Sequence, residues 1–145
     1  MVIAGHAPLP RVARLSADPH VTVTGYIPDL RPVYARADVC IAPSLVGGGV
    51  LNKVIDGMAA GRPVVTTTAG NEGVAAPPAA VCVADEPAAF ADAVVRLLRD
   101  ADEWARVAAA GRAFVQRTYR WADNVARLEA LYGELGQTNA TFTRG

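Results

Sequence analysis

The stretch that decides the fold runs from Val39 to Thr67: V-C-I-A-P-S-L-V-G-G-G-V-L-N-K-V-I-D-G-M-A-A-G-R-P-V-V-T-T. The apolar, β-branched run from Val39 to Ala42 has the length of a buried strand, and Pro43 and Ser44 end it. Gly47, Gly48 and Gly49 form a tight loop, and Val50 to Ala60 is compatible with a helix that Gly61 stops. Pro63 to Thr67 then reads as the next strand. Strand, glycine loop, helix and strand make a βαβ unit. A glycine loop feeding a helix start suits an anion, because free backbone N–H groups and the positive end of the helix dipole point at one spot.

The helix face carries more. At about 100° per residue, Gly49, Lys53 and Asp56 fall within roughly 60° of one another. Small Ala60 lies a turn further on, while Val54, Ile55, Met58 and Ala59 are available for burial. A cation followed by a carboxylate, behind a glycine loop, suits a nucleoside diphosphate. Amides and Lys53 would meet phosphate oxygens, and Asp56 would accept hydrogen bonds from ribose hydroxyls. The same spacing also describes an i,i+3 Lys–Asp surface pair, worth a few tenths of a kcal/mol. The residues alone leave both readings open.

The segment P-S-L-V-G-G-G-V-L-N-K-V-I-D-G-M-A-A-G-R-P-V-V resembles the donor-site signature of retaining glycosyltransferases of family 4, whose fold is the two-domain GT-B type. The nearest subgroup is that of sugar transferases found with exopolysaccharide and exosortase systems. The resemblance extends through V-T-V-T-G-Y-I-P-D-L-R-P-V-Y-A-R-A-D-V before the motif, then G-N-E-G-V, and finally Y-R-W with its following helix. It implies catalytic roles for Lys53 and Asp56, and donor binding by Pro43, Ser44, Gly47, Gly48, Gly49 and Val50. Two departures stand out. Many members carry a pair of glutamates where this chain has Gly48 and Asp56, and Gly57 replaces the usual Ala.

At 145 residues the chain is the size of one domain, able to bury about two thirds of its unfolded surface. Hydrophobic residues make up 52% and aromatics 6%, as in an Ala/Val-rich α/β core. Fourteen basic residues balance fourteen acidic ones without runs of like charge, so a nucleic-acid partner is not expected. Cys40 and Cys82 lie in apolar runs and read as buried, reduced thiols, with no metal-site spacing. The start is too proline-broken for a signal peptide and no run reaches a membrane span. A cytoplasmic location is expected, with a peripheral position at the inner membrane face as a variant of it.

Strands expected near 1–4, 21–24, 39–42, 63–67 and 81–84 alternate with helices, which predicts a doubly wound, Rossmann-like parallel sheet. Asp29 reads as a cap for a helix over 30–37. Tyr26 and Ile27 follow the second strand, where the resemblance implies contact with the nucleotide base; Tyr26 packing over the strand end is the alternative. His6 is either a polar group facing the cleft or a loop residue. Asn71 and Glu72 either edge the pocket or sit in a solvated loop. Pro87 to Arg99 places Phe90, Val94, Leu97 and Leu98 on one stripe, Ala101 to Arg117 is an Ala-rich helix, and Trp121 to Leu135 is a further helix with Val125, Leu128, Leu131 and Tyr132 at helical spacing. The expected organisation is a nucleotide-sugar-binding domain over 1–118, a helix over 119–135, and a disordered tail over 136–145.

The resemblance places this domain as the carboxyl-terminal, donor-binding half of a GT-B enzyme. It implies a missing N-terminal Rossmann-like domain that shapes the acceptor site and receives the last helix. The implied reaction moves a hexose from a UDP- or GDP-sugar to a hydroxyl acceptor with retention, without metal or cofactor. A non-catalytic nucleotide-binding module, or an inactive remnant, is the alternative. A nucleotide-sugar epimerase or a receiver domain fits the Lys53–Asp56 motif less well.

Overall fold

The computed structural model describes residues 1–47 and 49–142. The chain divides into two compact units, Met1–Arg36 and Ala37–Gly145. In the first, β1 (Val2–Ala4) pairs in parallel with β2 (Thr22–Gly25), and between them lie α1 (Pro10–Ala13) and a 3-10 turn (Arg14–Ala17). Helix α2 (Arg31–Arg36) closes the unit. The helix begins one residue later than expected, so Asp29 precedes the cap position; its Oδ1 still accepts from the first helical amide, that of Arg31, at 3.0 Å, and its carboxylate pairs with the Arg31 guanidinium.

The second unit contains β3 (Cys40–Ala42), α3 (Asn52–Ala59), β4 (Val64–Thr66), α4 (Thr68–Asn71), β5 (Cys82–Val83), α5 (Pro87–Arg99), α6 (Ala101–Thr118) and α7 (Trp121–Phe142). Its sheet has the order β3-β4-β5, all parallel, with Cys40 opposite Val64 and Val65 opposite Cys82. The expected parallel α/β architecture is present. Its strands form two hydrogen-bonded ladders, β1-β2 and β3-β4-β5, where one sheet was expected. Periodicity identifies strands, but edge pairing is a tertiary choice that it does not encode.

Strand β4 is central, and all three of its residues are buried. Successive side chains leave a strand on opposite faces. Val64 accordingly joins Val54 and Met58 of α3 on one side, while Val65 joins Ala93 and Leu97 of α5 on the other. Helix α6 contributes to both clusters through Val115 and Val107. Three residues of the expected α5 stripe face the core, Leu97 buried and Phe90 and Val94 packed partly buried beside it; Ala93 joins them, and Leu98 is 56% exposed. Ala59 is likewise exposed, leaving Val54, Gly57 and Met58 as the buried face of α3.

Gly57 explains one departure from the family pattern. A Cβ there would lie 2.9 Å from Val64 Cγ2 and 3.2 Å from Cys40 Cβ, so α3 rests directly on β3 and β4. Around it, burial holds the Cys40 thiol up at about 11, which keeps it protonated near neutrality.

Two expectations change at the carboxyl-terminal side. The turn-rich 69–74 segment contains α4, whose first turn is capped by the Thr67 hydroxyl accepting from the Gly70 amide at 3.0 Å. Helix α7 continues to Phe142, past the point where a disordered tail was expected, and 143–145 lie outside the described residues. Its Trp121, Leu128, Leu131 and Tyr132 are exposed.

Gly57→Ala sets a gain in helix propensity of about 1 kcal/mol against overpacking of about 1–3 kcal/mol. Because the buried, β-branched Val64 has little freedom to yield, the substitution is expected to destabilise the fold, read as a lower urea midpoint.

Candidate functional site

The site begins where β3 and β4 end. After buried Ala42 the chain turns at Pro43 and Ser44, and the Ser44 amide donates back to the Ala42 carbonyl at 2.8 Å. Two buried hydroxyls from β4 and the residue after it hold this turn. Thr66 Oγ1 donates to the Ala42 carbonyl at 2.9 Å, and Thr67 Oγ1 donates to the Ser44 carbonyl. Ser44 Oγ donates to the Val46 carbonyl at 3.3 Å. Ser44 is thus engaged in shaping the loop, while Pro43 stands exposed on it. Thr66 and Thr67 were not singled out from the sequence, where they read only as the end of a strand.

The glycines have distinct reasons to be glycines. A Cβ on Gly47 would collide with Glu72 Oε2, and Gly49 has φ +137°, a conformation that L side chains rarely adopt. A Cβ on Gly73 would collide with the Gly49 carbonyl and lie 2.8 Å from the Val50 nitrogen. The Glu72–Gly73 segment therefore packs directly on the loop, backbone against backbone. Gly48, also expected in the site, lies outside the described residues.

Helix α3 starts at Asn52, two residues later than expected, with Leu51 as its cap. The first amide in this region to find an acceptor is that of Val54, which donates to the Leu51 carbonyl at 3.0 Å. Among the described residues, the amides of Gly49, Val50, Leu51, Asn52 and Lys53 donate to no other group. Unsatisfied donors at a helix start, with the dipole behind them, favour an anion.

Lys53 and Asp56 both lie on the exposed side of α3. They form no ion pair with each other, so the i,i+3 surface pair is not what this spacing makes. Partial burial pushes the Asp56 carboxyl above its ordinary value. Neither residue lines the larger described cavity. That space, about 520 Å3, lies beside β5 among Cys82, Ala93, Arg96, Glu103 and Arg106.

The remaining expected residues divide between the two units. Tyr26 and Ile27 belong to the first, directly after Gly25 at the end of β2. Tyr26 is 68% exposed and meets His6 edge-on, with ring centroids 6.2 Å apart. Asn71 does not reach for a ligand: its amide donates to and accepts from the Ala76 backbone, closing the 71–76 loop. The Thr68 amide and hydroxyl donate to Asp85, holding that carboxyl below its usual range and joining the ends of β4 and β5. Among the described residues no three His, Cys, Asp or Glu side chains gather as metal ligands. No helix among them is long and apolar enough to cross a membrane.

Residues 1–100 match the family model described as glycosyl transferases group 1. The chain belongs to that family. The match takes in the β3–α3 loop, Lys53 and Asp56, and runs on to the end of α5. No curated protein matches this group 1 chain by sequence.

Solved structures agree on the fold of this group 1 domain. Sucrose-phosphate synthase from Thermosynechococcus elongatus superposes with a TM-score of 0.81 at 24% identity, over 94% of this chain and 38% of that one. HepE of Anabaena, in complex with UDP-glucose, gives 0.77 at 17% identity, over 91% and 40%. The C-terminal domain of the group 1 protein LpcC from Francisella tularensis gives 0.62 at 20% identity, over 77% and 60%. The chain thus spans about two fifths of the first two structures.

Thr66→Val removes a buried hydroxyl while keeping its shape, and the Ala42 carbonyl retains its Ser44 partner. A loss of about 0.5–1.5 kcal/mol is expected in chemical denaturation. Amide hydrogen exchange should quicken at Ser44 without quickening in α6.

Proposed function

We propose that this chain is the donor-binding half of a retaining, family 4 glycosyltransferase of GT-B fold. It takes a hexose from a UDP- or GDP-sugar and delivers it to a hydroxyl acceptor on a sugar or lipid-linked glycan. The setting we assign is exopolysaccharide or glycoconjugate synthesis in the cytoplasm, at or near the inner membrane face. The observation that carries this reading is the row of uncommitted amides from Gly49 to Lys53, at the head of α3 in a chain of the group 1 family. A structural relative captured with UDP-glucose supports a nucleotide sugar as the donor class.

In this reading the diphosphate lies against those amides and the Lys53 ammonium. Glycosyl transfer needs a stabilised leaving group, since negative charge grows on the diphosphate as the glycosidic bond breaks. Donors already fixed in place stabilise that charge without reorganising. The amides and Lys53 take the role that a divalent ion would have elsewhere, so we assign neither metal nor cofactor. Asp56, one turn along α3, accepts from the ribose hydroxyls. Pro43, Ser44, Gly47, Gly48 and Val50 frame the donor, and Tyr26 and Ile27 contact the base. A second Rossmann-like domain, implied by the family resemblance, would hold the acceptor and cover the exposed side of α3.

That exposure favours a second reading, a module that binds nucleotide without turning it over. The two separate in an assay of the purified 145-residue chain with UDP-glucose and GDP-mannose. Donor hydrolysis or transfer supports the enzyme; nucleotide binding without either supports the module.

Two substitutions test the assigned roles. Lys53→Ala should weaken nucleoside diphosphate binding at least about tenfold in calorimetric titration, through loss of a charge-assisted contact of about 1.5–3 kcal/mol. Unchanged affinity removes Lys53 from the site. Asp56→Asn should shrink the preference for the ribonucleotide over its 2′-deoxy analogue, and an unaltered preference would sink the ribose assignment.

A further inference from the structure

We infer that Glu72 is the sugar-reading group of this site: its carboxylate accepts hydrogen bonds from ring hydroxyls of the donor hexose and selects neutral sugars over uronates. This rests on the nucleotide-sugar reading given under Proposed function.

The inference starts from the space at Gly47. The room a side chain would take there is occupied by Glu72 Oε2, with Glu72 Cδ at 3.4 Å and the Ala69 carbonyl at 3.5 Å from the same point. Glu72 directly follows α4, 25 residues on from Gly47 in the sequence, and three features fix its backbone. Thr67 caps the start of α4, Asn71 clamps Ala76 just beyond it, and the Gly73 backbone presses on Gly49 and Val50. The Glu72 backbone is therefore fixed beside the loop, and from it the carboxylate reaches the start of the glycine loop.

At that position it is uncommitted. Glu72 is exposed and, among the described residues, takes part in no ion pair and accepts no hydrogen bond. Lys53, on the helix this loop feeds, does not neutralise it.

A carboxylate is acceptor-only and repels a diphosphate. The loop and helix start thus carry opposite preferences at their two ends. The amides from Gly49 onward and Lys53 favour an anion; the Gly47 end favours hydrogen-bond donors that carry no negative charge. A sugar diphosphate has both parts in that order, and two carboxylate oxygens match a pair of vicinal hydroxyls. A uronate would bring its own carboxylate toward Glu72 and be disfavoured.

The test is calorimetric titration of the full chain and its Glu72→Gln variant with UDP, UDP-glucose and UDP-glucuronate, with GDP and GDP-mannose in parallel. Glutamine keeps the shape on an exposed side chain, so folding is retained, and a thermal melt verifies it. We expect the wild type to bind UDP-glucose or GDP-mannose more tightly than the bare diphosphate, and UDP-glucuronate less tightly than UDP-glucose. In Glu72→Gln the sugar-dependent gain should fall about tenfold and the uronate penalty narrow, with UDP or GDP affinity kept or slightly raised. Nucleotide binding with the same sugar gain in both proteins overturns the role of Glu72 and leaves the nucleotide site standing. An equal loss for nucleotide and nucleotide sugar overturns it too, marking Glu72 as a structural support of the loop. Failure of every nucleotide to bind overturns the nucleotide reading and this inference with it.

Discussion

Two hydroxyl groups buried at the end of one strand set the terms for everything around the site. Thr66 and Thr67 leave β4 where water does not reach, and a buried hydroxyl without a partner is costly. Their acceptors are the carbonyls of Ala42 and Ser44. Satisfying them fixes the turn that leads into the glycine loop, and Thr67 also caps the short helix that Glu72 follows. Both sides of the site are thereby referred to a single strand end. That strand is in turn held by packing on both faces, α3 on one and α5 on the other.

The close approaches follow from that frame. Gly57 lets α3 lie on β3 and β4, and Gly73 lets one backbone cross another at Gly49 and Val50. Neither glycine is there for flexibility, since each marks a contact that one methyl group would break. Among the described residues the outcome is a helix start whose amides remain unused, beside a loop whose Gly47 is approached by the Glu72 carboxylate.

The exposed setting of Lys53 and Asp56 belongs with the rest of the surface. The chain spans about two fifths of the sucrose-phosphate synthase and HepE structures on which it superposes. Apolar side chains stand exposed on the same loop, Leu45 at 88% and Val46 at 77%, and others along α7. The larger cavity beside β5 is separate from this loop and is lined by the Arg96–Glu103 pair, which links α5 to α6.

The amino-acid order determined the βαβ unit, its parallel α/β class and the placement of Lys53 and Asp56 on one side of a helix behind glycines. These are local properties: the length of an apolar run, a stop at Pro or Gly, and a period of about 3.6 residues. The tertiary structure decided which strands pair, that α5 turns Ala93 inward and Leu98 outward, and that Lys53 and Asp56 stay apart. It also decided that Thr66 and Thr67 build the turn and that Glu72 reaches Gly47. The contacts of Thr66, Thr67 and Glu72 join groups 23 residues or more apart in the chain, and no local pattern records which distant carbonyl a hydroxyl will meet or which distant carboxylate will fill a missing side chain's place.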